Sequence, residues 1–230
     1  MVDPRIQAGV FRKGITRLCH FTQSRKLAHI LTGLGGIWST SYLREYYPDL
    51  LDQMDTARLD GHEDYICCSI EYPNTWYLNR VLDHDPLFKE WVIIYISPSI
   101  IWRSDTLYSP RNAAAERGNL IVSDYAGFTQ LYQQQVSGAQ NRVRARTPHM
   151  LPACPTDDQA EVLVKQHIPY TDIIGVAVNS LEQARIEKNR LALLGCRLPI
   201  KWYIAPEIFN GSWSRSIRIG QRPQEIPFEE

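Results

Sequence analysis

WVIIYI, residues Trp91–Ile96, is the stretch on which the fold turns. Four of its six residues are β-branched and the other two are aromatic, so it favours extended backbone, and Pro98 stops it. The apolar character is continuous instead of alternating, which is the pattern of a strand covered on both faces. YICCSI at Tyr65–Ile70 reads the same way. Working outward, strands are expected at Thr16–Phe21, Gln159–Val164, Ile173–Val178 and Ile200–Ile204, with a brief apolar pair at Ile37–Trp38 after the 34–36 turn. Helices are expected over Gln23–Leu31, over 41–57 with a break at Pro48, from an Asn74 N-cap through Leu82, and over Leu181–Leu194 closed by Gly195. Strands and helices mixed in this way, with no repeat and no linker, give an α+β class and one domain over 1–230. Its core runs from about 16 to 204, and the proline-bearing tail 205–230 is expected to wrap the surface or fray.

Ser104 to Pro155 reads differently: short helical pieces at Arg111–Arg117 and Tyr125–Gln135, then a polar loop rich in Gln, Arg and Pro. So long a loop in a compact domain usually carries function or is disordered.

Composition excludes several classes. The 230 residues carry 25 basic and 25 acidic side chains, which rules out a histone-like polycation. The charge is nevertheless uneven: residues 1–40 hold six basic and one acidic residue, whereas 41–90 hold four and eleven. Arg142, Arg144 and Arg146 form a basic run that suits either a solvated face or a modest nucleic-acid groove. No segment has the apolar length of a membrane span, and the opening residues lack the apolar core of a secretory signal, so a cytoplasmic, membrane-free protein is expected. The five cysteines contain no CxxC pair, and the six histidines never pair at ligand spacing, so no metal is expected. Phosphate-loop, GxSxG and HExxH patterns do not occur.

Three features remain. His20 and Thr22 lie two apart on an expected strand and so share a face. Taken alone, His20 also reads as a core histidine bonded to backbone. Arg58 is a lone cation in the acidic stretch ARLDGHEDY, readable as a surface ion pair. In PTDDQAEVLV, Gln159 and Glu161 share a face as a strand begins, and Glu161 alone reads equally as a solvent-side residue.

Taken together and in order, LCHFT, RLDGHEDYICCSIEYPNTW, WVIIYISPSIIW, SPRNAAA and PTDDQAEVLV resemble the DarT family, bacterial toxins that ADP-ribosylate bases of DNA. The resemblance runs from about Arg17 to Ile204. It implies the ADP-ribosyltransferase fold, a split mixed β core around an NAD cleft with flanking helices and a long substrate loop. It implies that His20, Phe21 and Thr22 hold the NAD ribose and nicotinamide amide, that His29 and Ile37 lie where the chain passes them, and that Arg58 and Glu161 are catalytic, with Arg58 also on the cofactor. Gln159 completes a Q-x-E form, and the loop 118–160 would present DNA. In that loop Tyr125, Phe128 and Tyr132 are candidates for stacking on single-stranded bases, and Arg142, Arg144 and Arg146 for phosphates.

The chemistry fits these residue types. Breaking the nicotinamide–ribose bond develops positive charge on the sugar, which a carboxylate stabilises, and the same group can take a proton from an attacking base. Arg58 would grip pyrophosphate or orient the base with its planar fork. A base atom hidden by pairing is reachable only in single-stranded or flipped DNA. The resemblance further implies NAD as co-substrate, a toxin–antitoxin or phage-defence setting, and a DarG-like macrodomain antitoxin as partner. The RLDG and YPNTW forms incline the reading to guanine over thymine as target. Two alternatives stay open: a transferase acting on RNA or protein, and a non-catalytic nucleic-acid- or antitoxin-binding domain of the same fold.

Overall fold

A computed structural model describes residues 2–51, 58–84, 88–138, 142–196 and 198–229. In chain order the elements are α1 (Pro4–Lys13), β1 (Leu18–Gln23), β2 (Gly36–Trp38), α2 (Thr40–Tyr46), β3 (Tyr65–Ile70), α3 (Thr75–His84), β4 (Trp91–Ile96), β5 (Leu107–Ser109), β6 (Val122–Ser123) and α4 (Asp124–Gln130). They continue with β7 (Gln135–Ser137), β8 (Val143–Ala145), β9 (Glu161–Lys165), β10 (His167–Pro169), β11 (Ile173–Val178), α5 (Leu181–Leu193), β12 (Lys201–Ile204), α6 (Pro206–Phe209), α7 (Trp213–Arg218) and β13 (Ile226–Phe228).

Nine strands form one mixed sheet in the order β13-β12-β11-β4-β1-β3-β9-β5-β6. β11 and β12 are parallel and joined through α5, and the other pairings in this sheet are antiparallel. β4 lies inside the sheet between β11 and β1, as its continuous apolar run requires. Val92, Ile94 and Ile96 face one core with α1, α4 and α5, while Ile93 and Tyr95 face a second core with α3, α6 and α7. Two smaller ribbons pair β2 with β10 and β7 with β8.

β3, β4 and β11 fall where the sequence places them. Asn74 caps α3 by accepting the Tyr77 N–H on Oδ1 at 3.2 Å, and Gly195 (φ 76°) closes α5. Several expectations change. The 23–31 helix becomes a 3₁₀ turn at Ser24–Lys26 and a π-helical segment at His29–Gly33. Of the expected 41–57 helix, Thr40–Tyr46 is observed, and 52–57 lies outside the described residues. The piece at Arg111–Arg117 is not a helix, because Glu116 and Arg117 take left-handed backbone. The piece at 125–135 ends at Gln130, and the loop it opens carries the β7–β8 hairpin.

Residues 205–229 of the tail are not frayed. Ile208, Phe209, Trp213 and Ile217 are buried in the second core, and β13 pairs with β12. Four large apolar side chains in ten residues supply enough burial to fix two short helices with no propensity of their own.

Candidate active site

The sheet divides between β1 and β3. β1 pairs with β4 along all six residues, but with β3 only at Leu18↔Ile70 and Cys19↔Ser69. Beyond Cys19 the two strands part, and the His20 ring occupies the join, with Nδ1 2.9 Å from the carbonyl of Cys67. His20 is therefore bonded to backbone, as its plainer reading requires, and it is so at the mouth of a split.

Cys67 is also where Arg58 arrives. The guanidinium forms a two-pronged pair with Asp60, Nη2 to Oδ2 at 2.7 Å and Nε to Oδ1 at 3.1 Å. It further donates to the Tyr65 carbonyl at 2.6 Å and to the Cys67 thiol at 3.6 Å. With side chains 14% and 4% exposed, this pair is not the surface ion pair that composition allowed. Burial works against the charge on Asp60, and the hydrogen bonds from Arg58 overcome it, so its carboxyl is held below the usual range. Burial pushes the Cys67 thiol well up, so it is no nucleophile.

Glu161 opens β9, directly opposite Ser109 of β5, and by alternation it shares a face with Leu163 and hence with Cys67. It is 7% exposed, which corrects the solvent-side alternative. Three donors converge on its carboxylate: the Ala113 N–H at 2.9 Å, the Asn74 amide at 3.3 Å and the Asn112 amide at 3.4 Å. Burial nevertheless dominates, and its pKa is pushed up to about 7. A carboxylate that exchanges its proton near neutral pH, held by neutral donors beside a fixed cation, suits both charge stabilisation and proton uptake.

Phe21 shares the face of Cys67 and Glu161 and packs against Tyr77 and Trp91 at ring-centre distances of 6.0 and 5.8 Å. His20 and Thr22 share a face, as expected, but it is the opposite one. Thr22 is buried and His29 exposed, while the Ile37 side chain lies in the first core with its backbone paired to Ile168. Gln159 lies in the turn before β9, its N–H bonded to Asp157 Oδ1 at 2.8 Å, and not on the strand face with Glu161.

The aromatic candidates of the loop divide. Phe128 is 1% exposed in the first core and cannot stack on a base. Tyr132 donates its hydroxyl to the Ala153 carbonyl at 3.0 Å, and its ring is covered by Lys13 at 3.7 Å and Arg146 at 5.5 Å. Tyr125 is half-buried under Arg5. Arg146 also turns inward, to the carbonyls of Cys154 at 2.9 Å and Leu151 at 3.1 Å. Arg142 is exposed and Arg144 half-exposed on the β7–β8 hairpin. That hairpin is tied to the site by Arg111, which bonds the Ser137 carbonyl at 3.1 Å while its neighbour Asn112 bonds Glu161.

Asp60, Asn74, Asn112 and the Ala113 N–H were missed as site groups. Asn74 had a signal in its N-cap position and Asp60 in standing two residues from Arg58, whereas Asn112 and Ala113 reach Glu161 from 49 and 48 residues away. Among the described residues no cluster of metal-ligating side chains occurs, and no helix is long and apolar enough to cross a membrane.

A mixed sheet split beside a buried glutamate, with arginine and histidine meeting at the next strand, defines an ADP-ribosyltransferase architecture. The chain belongs to the DarT family, described as ssDNA thymidine ADP-ribosyltransferase, which matches residues 19–210. It is similar in structure to Thermus sp. 2.9 DarT in complex with NAD+ (TM-score 0.57, 16% identity, 84% of this chain and 97% of that one). It resembles the same protein in complex with ADP-ribosylated ssDNA (TM-score 0.59, 16% identity, 85% and 97%). It also resembles Thermosipho africanus DarTG in complex with ADP-ribose (TM-score 0.59, 16% identity, 84% of this chain), but spans only 51% of that chain. No curated protein is significantly similar to it in sequence. The family description names thymidine, where the RLDG and YPNTW forms incline to guanine.

Proposed function

We propose that Glu161 is the carboxylate through which this DarT-family enzyme moves ADP-ribose from NAD to thymidine in single-stranded DNA. The observation that carries the assignment is the meeting of Glu161, Arg58 and His20 around Cys67 at the split in the sheet. The residues fit a dinucleotide: a buried cation, amide donors and a half-buried aromatic at Phe21 line the place where β1 and β3 part. When bound, NAD supplies the ADP-ribosyl group and releases nicotinamide.

In this reading Glu161 in its ionised form stabilises positive charge on the ribose and then takes the proton that the base gives up. Its three donors fix the carboxylate before reaction, so no reorganisation is needed during it. Arg58, its fork taken by Asp60, presents a fixed positive charge beside Glu161 to phosphate or base. His20 braces the split, and Phe21 supplies a flat apolar wall on the Glu161 side. Arg142 and Arg144 meet the DNA backbone, and Tyr125 remains the candidate for stacking within the loop. Residues 1–230 act as one domain. The setting is a toxin–antitoxin or phage-defence module in the cytoplasm with a macrodomain antitoxin as partner, and the likeness to DarTG supports that partner.

The test is mass spectrometry of single-stranded oligonucleotides, each containing one of the four bases in a fixed context, incubated with the protein and NAD. A gain of one ADP-ribose on thymidine, lost in Glu161→Ala, is expected. Labelling of guanine alone, or of RNA or protein and not DNA, would overturn the assignment, as would a fully active Glu161→Ala.

A further inference from the structure

The short turn that carries Asn74 to Glu161 is held from the far end of the chain. Glu71 follows β3 immediately, has left-handed backbone (φ 65°) although it is not glycine, and is fully buried. A carboxylate-bearing residue persists in that conformation only where its surroundings fix it. Here its carboxylate accepts from the Thr16 N–H, from the Thr16 hydroxyl at 2.9 Å and from Arg222 Nη1 at 3.1 Å. Its N–H bonds the Arg17 carbonyl at 3.1 Å, and its carbonyl accepts from Arg17 Nε at 2.9 Å. Arg17 is clamped in turn: Glu225 Oε2 lies 2.7 Å from Nη1 and also accepts the Tyr95 hydroxyl at 2.7 Å, with the guanidinium 3.8 Å over the Tyr95 ring. Three residues beyond Glu71, Asn74 bonds Ser69 Oγ through its N–H at 3.2 Å and Glu161 through its amide at 3.3 Å.

We infer that Arg222 and Glu225 are positioning residues: as a strap they lock the 71–74 turn, and through it the Asn74 amide on Glu161. All four anchors, Thr16, Arg17, Arg222 and Glu225, lie outside the residues 19–210 that match the family. It rests on the catalytic reading of Glu161.

Arg222 is half-exposed, so Arg222→Gln removes one end of the lock without opening a cavity. The expected result, measured where the variant is fully folded, is a fall in kcat of about ten- to hundred-fold, the cost of a slightly misplaced catalytic group, with KM for NAD little changed and a melting temperature lowered by the loss of the cation paired with buried Glu71. The acid limb of the kcat profile moves to higher pH, because Glu161 loses a donor to its charged form. The titratable groups around Glu161 are otherwise Arg58 and Asp60 from before β3, Cys67 on the same face of it and Cys68 behind, all unaltered. Arg222→Lys restores most of the rate. Asn74→Ala shifts the limb in the same direction and adds little to Arg222→Gln in the double variant. An unshifted limb in Arg222→Gln, or a rate loss that only follows the melting temperature, would overturn the strap. An active Glu161→Gln enzyme would instead overturn the catalytic reading.

Discussion

Exchanging Glu161 for Gln should inactivate the protein and, above neutral pH, make it more stable. Burial raises the Glu161 carboxyl from its ordinary 4.5 to about 7, so the native state keeps a proton that the unfolded chain releases. The sign follows: below pH 4.5 both states hold the proton and the group is neutral to stability; between 4.5 and 7 stability falls; above 7 the full cost remains. That interval at 1.36 kcal/mol per pH unit sets a ceiling of roughly 3 kcal/mol. Gln removes this cost but turns an NH₂ toward either the Asn74 and Asn112 amides or the Ala113 N–H, which forfeits about 1 kcal/mol of hydrogen bonding. The net gain at pH 8 is ~2 kcal/mol, or about 4–8 °C in melting temperature for a chain of this length. Urea unfolding of both proteins from pH 4 to 8 measures it. The gain should shrink on acidification and reverse near pH 4. Equal stability at pH 8, or a gap independent of pH, would refute the claim that a buried, reluctant carboxylate sits at this position.

Four further outcomes follow from the same geometry. The rate of DNA labelling by the wild-type enzyme should rise with pH through about 7 and then level, since Glu161 acts ionised; a flat profile from pH 5.5 to 8.5 would contradict this. Arg58→Ala should lose both activity and ~3 kcal/mol of stability, because Asp60 is left buried and unpaired, whereas Arg58→Ala with Asp60→Asn should recover stability alone in chemical denaturation. Arg142→Gln with Arg144→Gln should weaken single-stranded DNA binding and flatten its salt dependence at unchanged KM for NAD, as titrations at several salt concentrations would report; Arg146→Gln should instead lower the melting temperature. Phe128→Ala should cost about 3–5 kcal/mol of stability, and its oligonucleotide affinity, measured on the folded fraction, should match wild type.

What could be read from the sequence was governed by where each residue's partners lie. β3, β4 and β11 were legible because a strand buried on both faces is apolar at every position, a property carried by the strand alone. Asn74 was legible as a cap for a similar reason, since its bond to the Tyr77 N–H spans three residues. Its second bond, to Glu161, spans 87 residues and has no local trace. The contacts of Asn112 and Ala113 are of that kind; Arg146 turns inward to carbonyls only five and eight residues on, but in a segment without a period, where its basic neighbours made it look like part of a solvent-facing stripe. Phe128 was misplaced because an aromatic in a polar loop reads as exposed, while its burial depends on α1 lying above it. The tail misled for another reason: α6 and α7 are too short to show a period, and the prolines around them imitate a loop.

The last strand has a bearing on how the molecule behaves in company. A sheet edge offers unpaired N–H and C=O groups to any neighbour, and β13 presents instead a three-residue rim with Pro227 at its centre, opposite Tyr203. The other rim, β6, is two residues long. Clipping by a protease just before Ile226 would uncover β12, whose KWYI carries Trp and Tyr on a backbone ready to pair. Such a fragment is expected to self-associate more readily than the intact chain.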